Sequence, residues 1–79
     1  MNGLIEGRIV HYVLPDGKHR PALVVNVWNK DKGECNLQVF LDDPNDRIRK
    51  EEFYSPVWMG TIAYDELMSP NTWHWIERI

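Results

Sequence analysis

Residues 8–28 decide the fold and read RIVHYVLPDGKHRPALVVNVW. Residues 8–14 are rich in β-branched and aromatic side chains, which favour a strand. The Pro-Asp-Gly-Lys segment at 15–18 contains the Asp-Gly pair that is typical of tight hairpin turns. Residues 20–28 continue as a second strand, and its run at 22–28 is apolar on both alternations, as expected of a strand that is covered on both faces. The stretch therefore predicts a β-hairpin whose second strand is central in a sheet.

The rest of the chain predicts three further strands, at residues 34–41, 57–64 and 72–76. Residues 34–41 alternate, with Cys35, Leu37, Val39 and Leu41 on one face and Asn36, Gln38 and Phe40 on the other. This period of two indicates a half-buried strand with an apolar inner face. Gly60 suits a bulge in the fourth strand. Residues 42–56 read as a long loop with room for a short helical turn at 49–54, and residues 65–71 form a second loop.

Five short strands without a long helix predict an all-β domain that spans residues 1–79 as a single unit. An SH3-like antiparallel barrel of about five strands is favoured, and an OB-like barrel is the alternative. With 79 residues, 43% of them hydrophobic, the chain is near the size at which one core is just sufficient. A homodimer would be one way to complete that core or to build a site between subunits.

The net charge and the cysteine content restrict the cellular compartment and the partners that we expect. The net charge of −3 argues against duplex DNA as a partner, because nonspecific duplex affinity comes mainly from lysine and arginine. The single cysteine, Cys35, excludes an internal disulfide, and we expect the reducing cytosol. No apolar run approaches the roughly 18 residues of a membrane span, so we expect no membrane association.

The residue types that carry chemistry are scattered, and we expect no catalytic residue, no metal and no cofactor. His11, His19, His74 and Cys35 show neither a Cys-x-x-Cys pair nor histidines four residues apart, the spacings that predict zinc. Ser55, Ser69 and Cys35 lack a nucleophile motif. We expect His19 to be a solvated turn residue. His11 and His74 are either hydrogen-bonded strand residues or site residues.

With catalysis and metal binding set aside, molecular recognition is the class of function that remains. Four tryptophans are many for so small a chain. Trp28 and Trp58 are expected in the core, while Trp73 and Trp75 either close the barrel or form the wall of a groove. Polar amides that alternate with aromatic rings can stack a planar group and read its edges. The candidate ligand- or partner-binding residues are Tyr12, Arg20, Trp28, Asn36, Gln38, Trp73 and His74.

Four motifs distributed over nearly the whole chain are GRIVHYVL at 7–14, RPA at 20–22, LQVF at 37–40 and TWHW at 72–75. Together they resemble a group of small, mostly uncharacterised proteins encoded by phages and prophages. In that group the ending commonly reads Gly-Thr-Trp-His-Trp-Pro-Glu-Arg, whereas this chain has Asn71 and Ile76 in place of the glycine and the proline. The resemblance implies a viral origin and supplies no activity to transfer.

By analogy with short phage proteins that lack catalytic motifs, the first hypothesis is a non-enzymatic accessory protein that counters a host defence system by binding. It would act in the host cytosol. In one mode, a nucleotide-like signal is sequestered through stacking, edge hydrogen bonds and a phosphate contact, by Trp28, Asn36, Gln38, Trp73, His74 and Arg20. In the other, the acidic residues 42–46 mask a basic surface on a host protein.

Two alternatives belong to other classes of protein. An SH3-like peptide-binding module would use a groove built from Tyr12, Trp28 and Trp58. A protein that binds single-stranded nucleic acid would use an aromatic platform, although the negative net charge opposes that alternative.

Overall fold

The computed structural model describes residues 1–42, 44–48 and 55–77. Their strands are β1 (Ile9–Val13), β2 (His19–Asn29), β3 (Glu34–Val39), β4 (Val57–Ile62) and β5 (Trp73–His74). The strands form one antiparallel sheet in the order β4-β3-β2-β1-β5, which confirms the all-β prediction. None of these residues forms a helix that is long and apolar enough to cross a membrane. The helical turn predicted at 49–54 lies outside the described residues.

The β1–β2 hairpin turns at the Asp-Gly pair, as predicted. The Leu14 amide donates to the Lys18 carbonyl at 2.8 Å, and the Gly17 amide donates back to the Leu14 carbonyl at 2.9 Å. The Lys18 amide also donates to the Asp16 carboxylate at 3.0 Å. The strand resumes at His19, which pairs with Val13 of β1. The expectation that His19 is a turn residue is therefore wrong, because the turn closes one residue before it.

The β2 strand is central in the sheet, as predicted, but its outer side is not covered. The register between β2 and β3 shifts between Val24 and Asn26 and again between Val27 and Asn29. These bulges leave Val25 and Trp28 without a direct partner, and both side chains are exposed. A bulge resets the alternation of side chains along a strand, so the apolar run of β2 does not stay buried.

The β3 strand has the two faces that the sequence predicts, since Cys35, Leu37 and Val39 are fully buried. Its partner β4 contains the predicted bulge. Cys35 pairs with Ile62 and Leu37 pairs with Met59, so β4 has one residue more than β3 between these pairs. The extra residue falls at Gly60 and Thr61.

The two ends of the sheet meet through one isolated bridge. Tyr64, just after β4, bridges Trp73 of β5 in parallel. The Trp73 amide donates to the Ala63 carbonyl and the Asp65 amide donates to the Trp73 carbonyl, both at 3.0 Å. In the part of the chain that the structure describes, this contact joins the edge strands in place of a continuous ladder.

Trp73 is the largest fully buried side chain of the core. Its indole N–H donates to the Gly33 carbonyl at 2.6 Å, and its ring packs edge-on against Tyr64 and Trp75 with centroids 5.0 Å away. A Cβ at position 33 would lie 2.7 Å from Cβ of Tyr64, so only glycine permits this close approach.

The other two tryptophans that were expected in the core are not there. Trp28 is 63% exposed and Trp58 is 57% exposed. Trp28 lies at a β2 bulge, and Trp58 pairs with Gln38 on the outer side of β3. The core is filled by residues that include Leu4, Val10, Tyr12, Leu14, Ala22, Val24, Leu37, Val39, Ile48 and Trp73.

Candidate functional site

The sheet register brings all three histidines together on the side of β1 that faces away from the core. His11 lies between the buried residues Val10 and Tyr12, so its side chain points to the opposite side. His74 of β5 pairs directly with His11, and His19 of β2 enters diagonally because it pairs with Val13. The ring centroids are 5.7 Å apart for His11 and His74, and 4.7 Å apart for His19 and His74.

Glu77 completes this cluster from the segment that follows β5. The Nδ1 atom of His11 lies 3.1 Å from Oε2 of Glu77, and Nδ1 of His19 lies 3.2 Å from Oε1. The Nε2 atom of His74 contacts the same Oε1. One carboxylate therefore faces three imidazoles that come from three adjacent strands.

Burial is uneven across the histidine cluster, which we define as His11, His19, His74 and Glu77. The side chain of His74 is 3% exposed, whereas that of Glu77 is 35% exposed. His11 and His19 lie between these limits. The cluster therefore has a fixed inner wall at His74 and opens to solvent at Glu77.

Electrostatics favour a neutral ring at His74. Burial lowers its pKa, and the neighbouring His19 and His11 lower it further, against the opposing effect of Glu77. Burial alone would raise the pKa of Glu77, but attraction to the protonated form of His74 and the hydrogen bond with His11 bring it below its ordinary value. A neutral imidazole and an ionised carboxylate are the states that bind a metal ion.

The donor atoms of the histidine cluster have the chemistry of a metal site. One ligand atom from each residue lies within 4.8 Å of all the others. Zinc bonds to histidine and glutamate are about 2.1 Å long, so tetrahedral donors are separated by about 3.4 Å. Small rotations of the partly exposed side chains of His11, His19 and Glu77 would bring the donor atoms to this separation around the buried ring of His74.

Two further observations define what surrounds this cluster. Nδ1 of His74 is buried and has no hydrogen-bond partner among residues 1–42, 44–48 and 55–77, so packing holds this ring in place. Buried polar atoms without partners are rare and are often found at functional groups.

Cys35 lies on the inner face of the sheet, where burial raises the pKa of its thiol to about 11. It is therefore not part of the donor set.

The seven predicted binding residues do not form one site. Tyr12 and Trp73 are fully buried, because the alternation of β1 and β5 points both inward. Tyr12 donates its hydroxyl to the side-chain oxygen of Asn71 at 3.1 Å. This corrects their placement on a binding surface. His74 belongs to the histidine cluster, and the remaining four residues lie elsewhere.

Arg20 is engaged in a structural ion pair. Its Nε and Nη2 atoms donate to the two carboxylate oxygens of Asp46, the second at 2.9 Å, and Nη1 donates to the His19 carbonyl at 3.1 Å. Asp46 is fully buried and also accepts from the Asp42 amide at 2.7 Å. An open cavity of about 380 Å³ lies beside this pair, lined by Arg20, Pro21, Phe40, Leu41 and Asp42. The Arg20 guanidinium, for which a phosphate contact was predicted, therefore pairs with Asp46, whose carboxylate also accepts from the Asp42 amide.

Trp28, Asn36 and Gln38 do share a surface, and Trp58 joins them. We define these residues as the aromatic face. The side-chain oxygen of Asn36 accepts from the Trp28 indole and from the Thr61 amide, both at 2.8 Å. The Trp58 ring lies against Gly60, where a Cβ would meet it at 2.5 Å. Both indoles are thus positioned by the sheet while most of their surface faces solvent.

The sequence analysis did not predict the histidine cluster because it relied on local spacing. Zinc motifs are recognised when ligands lie a few residues apart, whereas His11 and His74 become neighbours only when β1 pairs with β5. Two signals were available. His11 and His74 both alternate with core aromatic residues, and Glu77 follows His74 by three positions.

Comparison with known proteins adds no family to this geometry. No protein-family model, no curated protein and no solved structure matches the chain.

Proposed function

We propose that this chain is a small metal-binding protein that holds one divalent transition-metal ion in the histidine cluster. The observation that carries the proposal is the gathering of four donor atoms within 4.8 Å from three strands and the segment after β5. Imidazole and carboxylate are the usual ligands of zinc when cysteine is absent. Sheet pairing holds the backbones of the three histidines in place in the folded chain, so little backbone freedom is lost on binding.

Zinc fits this donor set better than calcium or magnesium. Three of the four donors are imidazole nitrogens, whereas calcium and magnesium prefer oxygen ligands throughout. Zinc accepts the low coordination number that four side chains supply. Other first-row divalent ions share the preference for imidazole, and copper and nickel bind such sites tightly.

The proposal is tested by titrating the chelator-treated protein with Zn²⁺ in a calorimeter. We expect one ion per chain in the wild type and a loss of affinity of more than about 100-fold in His74→Ala and in His11→Ala, since changes to outer-shell partners alone cost about 10- to 100-fold. Gln38→Ala, on the same side of the sheet but outside the cluster, is the matched control and should bind as the wild type does. A wild type that binds neither Zn²⁺ nor Co²⁺, or histidine variants that bind equally well, would reject the proposal.

A second candidate function concerns the aromatic face. Exposed tryptophans on a regular sheet are favourable for stacking, and Trp28 and Trp58 are both more than half exposed beside Gln38. This observation supports a binding surface on the aromatic face, which the hypothesised phage accessory protein would use to sequester a nucleotide-like signal or to cover a host protein. In the masking mode, in which acidic residues would cover a basic surface of a host protein, Asp46 is not available as a surface charge. Its carboxylate is buried against Arg20.

Intrinsic fluorescence separates the two modes of this second candidate. Titration with mono-, di- and cyclic nucleotides should give a saturable change that Trp28→Ala and Trp58→Ala reduce, while His74→Ala leaves it in place. A flat response of the wild type across the panel would remove the nucleotide mode. Binding of a host protein that Trp58→Ala weakens would then favour masking.

A further inference from the structure

We infer that Glu77 is an exchangeable ligand, and that the three histidines hold a metal ion whose fourth position binds an external carboxylate or a similar small anion. The inference rests on the proposed metal site and adds the class of molecule that this site would recognise.

The four ligands differ in how the fold holds them. His11, His19 and His74 belong to β1, β2 and β5, so backbone pairing fixes their positions relative to one another. Glu77 lies three residues beyond the end of β5, in a segment without regular structure. Three ligands are therefore part of the sheet, whereas the fourth lies on the segment after β5, outside the strand ladders that the structure describes.

The contacts of Glu77 agree with this division. Among residues 1–42, 44–48 and 55–77, its carboxylate contacts only the three imidazoles. Its side chain is also the most exposed of the four, at 35%. Nothing else in the described chain holds this carboxylate over the histidines, so replacing it by another anion breaks no other hydrogen bond of that group.

The identity of the resident group indicates the chemistry of the ligand. The three rings already surround a carboxylate, which shows that the opening accommodates a flat anion with two oxygens. Zinc sites with three protein ligands and one exchangeable position are the open kind, in contrast to the closed structural sites. An external anion would take the position that Glu77 leaves.

Competition with the tethered carboxylate sets the scale of the test. A short flexible tether gives an effective concentration on the order of millimolar. An external anion must exceed that level in the wild type, whereas a variant without the Glu77 carboxylate has no internal competitor. Removal of the carboxylate should therefore increase the apparent affinity for anions while the metal stays bound.

The experiment uses Co²⁺-loaded protein, whose visible absorption reports the coordination sphere, titrated with azide and with acetate. The variants are Glu77→Gln, Glu77→Ala and the matched control Glu66→Gln, which lies in an exposed turn. We expect both Glu77 variants to retain the metal with a loss of about tenfold or less, well short of the His74→Ala loss. Their anion midpoint should fall at least about tenfold below that of the wild type and of Glu66→Gln, since the internal competitor is gone.

Two results would overturn the inference and leave the metal site standing. Glu77→Ala and Glu77→Gln could lose metal as completely as His74→Ala does, which would make Glu77 an obligatory ligand of a closed site. Alternatively, the spectra of all variants could stay unchanged up to about 100 mM anion, far above the effective concentration of the tether. Absence of metal binding in the wild type would reject the proposed function together with the inference.

Discussion

The histidine cluster and the aromatic face lie at opposite ends of the sheet and present polar groups in contrasting ways. In the histidine cluster, three rings turn their nitrogens toward one carboxylate. In the aromatic face, the Trp28 indole N–H is already satisfied by Asn36, and the rings face solvent. Convergent donors form a site for one small ion, whereas exposed rings form a surface for a larger partner.

The two regions also differ in what anchors them. The aromatic face lies on three neighbouring strands, β2, β3 and β4, which pair with one another over several residues. The histidine cluster depends on β5, which has two residues and pairs with β1 only at His11 and Tyr12. Trp73 compensates for the short strand, because its buried ring connects β5 to the core. Damage to β5 should therefore affect the cluster first.

Trp73→Ala should have the largest effect. Loss of this fully buried ring is expected to lower the free energy of unfolding by about 3–5 kcal/mol and to abolish Zn²⁺ binding, because His74 loses its anchor. Urea denaturation followed by circular dichroism measures the first effect, and calorimetry measures the second. Trp73→Phe keeps a ring but loses the hydrogen bond to the Gly33 carbonyl. Its stability and its Zn²⁺ affinity should therefore lie between those of the wild type and those of Trp73→Ala. A Trp73→Ala protein as stable as the wild type would contradict this view of β5.

Asp46→Asn should have the next largest effect and should spare both regions. Its carboxylate is buried and accepts two hydrogen bonds from Arg20. Hydrogen bonds to charged groups contribute about 1.5–3 kcal/mol to stability. We therefore expect Asp46→Asn to lower the free energy of unfolding by an amount in that range near neutral pH. Zn²⁺ affinity should stay within about twofold of the wild type, since the pair lies outside the donor set.

The contribution of Asp46 should also depend on pH. The hydrogen bond from Arg20 lowers the pKa of Asp46 in the folded state, while the unfolded value is about 3.9. The stabilisation is therefore complete above about pH 4 and is lost as the pH falls through the lower folded pKa. The difference in unfolding free energy between the wild type and Asp46→Asn should shrink on acidification. A difference that stays constant down to strongly acidic pH would contradict the charged pair.

Asn36→Ala should have a smaller effect, confined to the aromatic face. The substitution leaves the Thr61 amide at the β4 bulge without its acceptor and releases the Trp28 indole. We expect the free energy of unfolding to fall by about 1–2 kcal/mol. The anisotropy of the tryptophan fluorescence should fall as well, because the Trp28 ring is released. Gln38→Ala, its neighbour on the aromatic face, should change stability by less than about 0.5 kcal/mol. Equal losses in the two variants would show that Asn36 does not position Trp28.

Gly60→Ala should have the smallest effect on stability. The new methyl group would meet the Trp58 ring at 2.5 Å, but the ring is largely exposed and can rotate away. We expect a change below about 1 kcal/mol, together with a shifted emission spectrum. The same substitution in a Trp58→Phe background should leave the emission unchanged. Persistence of the spectral shift there would mean that Gly60 acts on another tryptophan.

The sequence by itself determined the local features of this protein. The Asp-Gly turn, the two faces of β3 and the bulge at Gly60 were all predictable, because turn chemistry and the alternation of side chains depend on neighbouring residues. The inward direction of Trp73 and the outward direction of His11 follow from the same alternation.

Only the tertiary structure decided where these features meet. Bulges in β2 leave Trp28 exposed, and the pairing of β1 with β5 places His74 against His11. Register between distant strands is set by which pairings bury the most apolar surface across the whole sheet. No local spacing records that choice, so the ligands of the histidine cluster look unrelated along the chain until the sheet has formed.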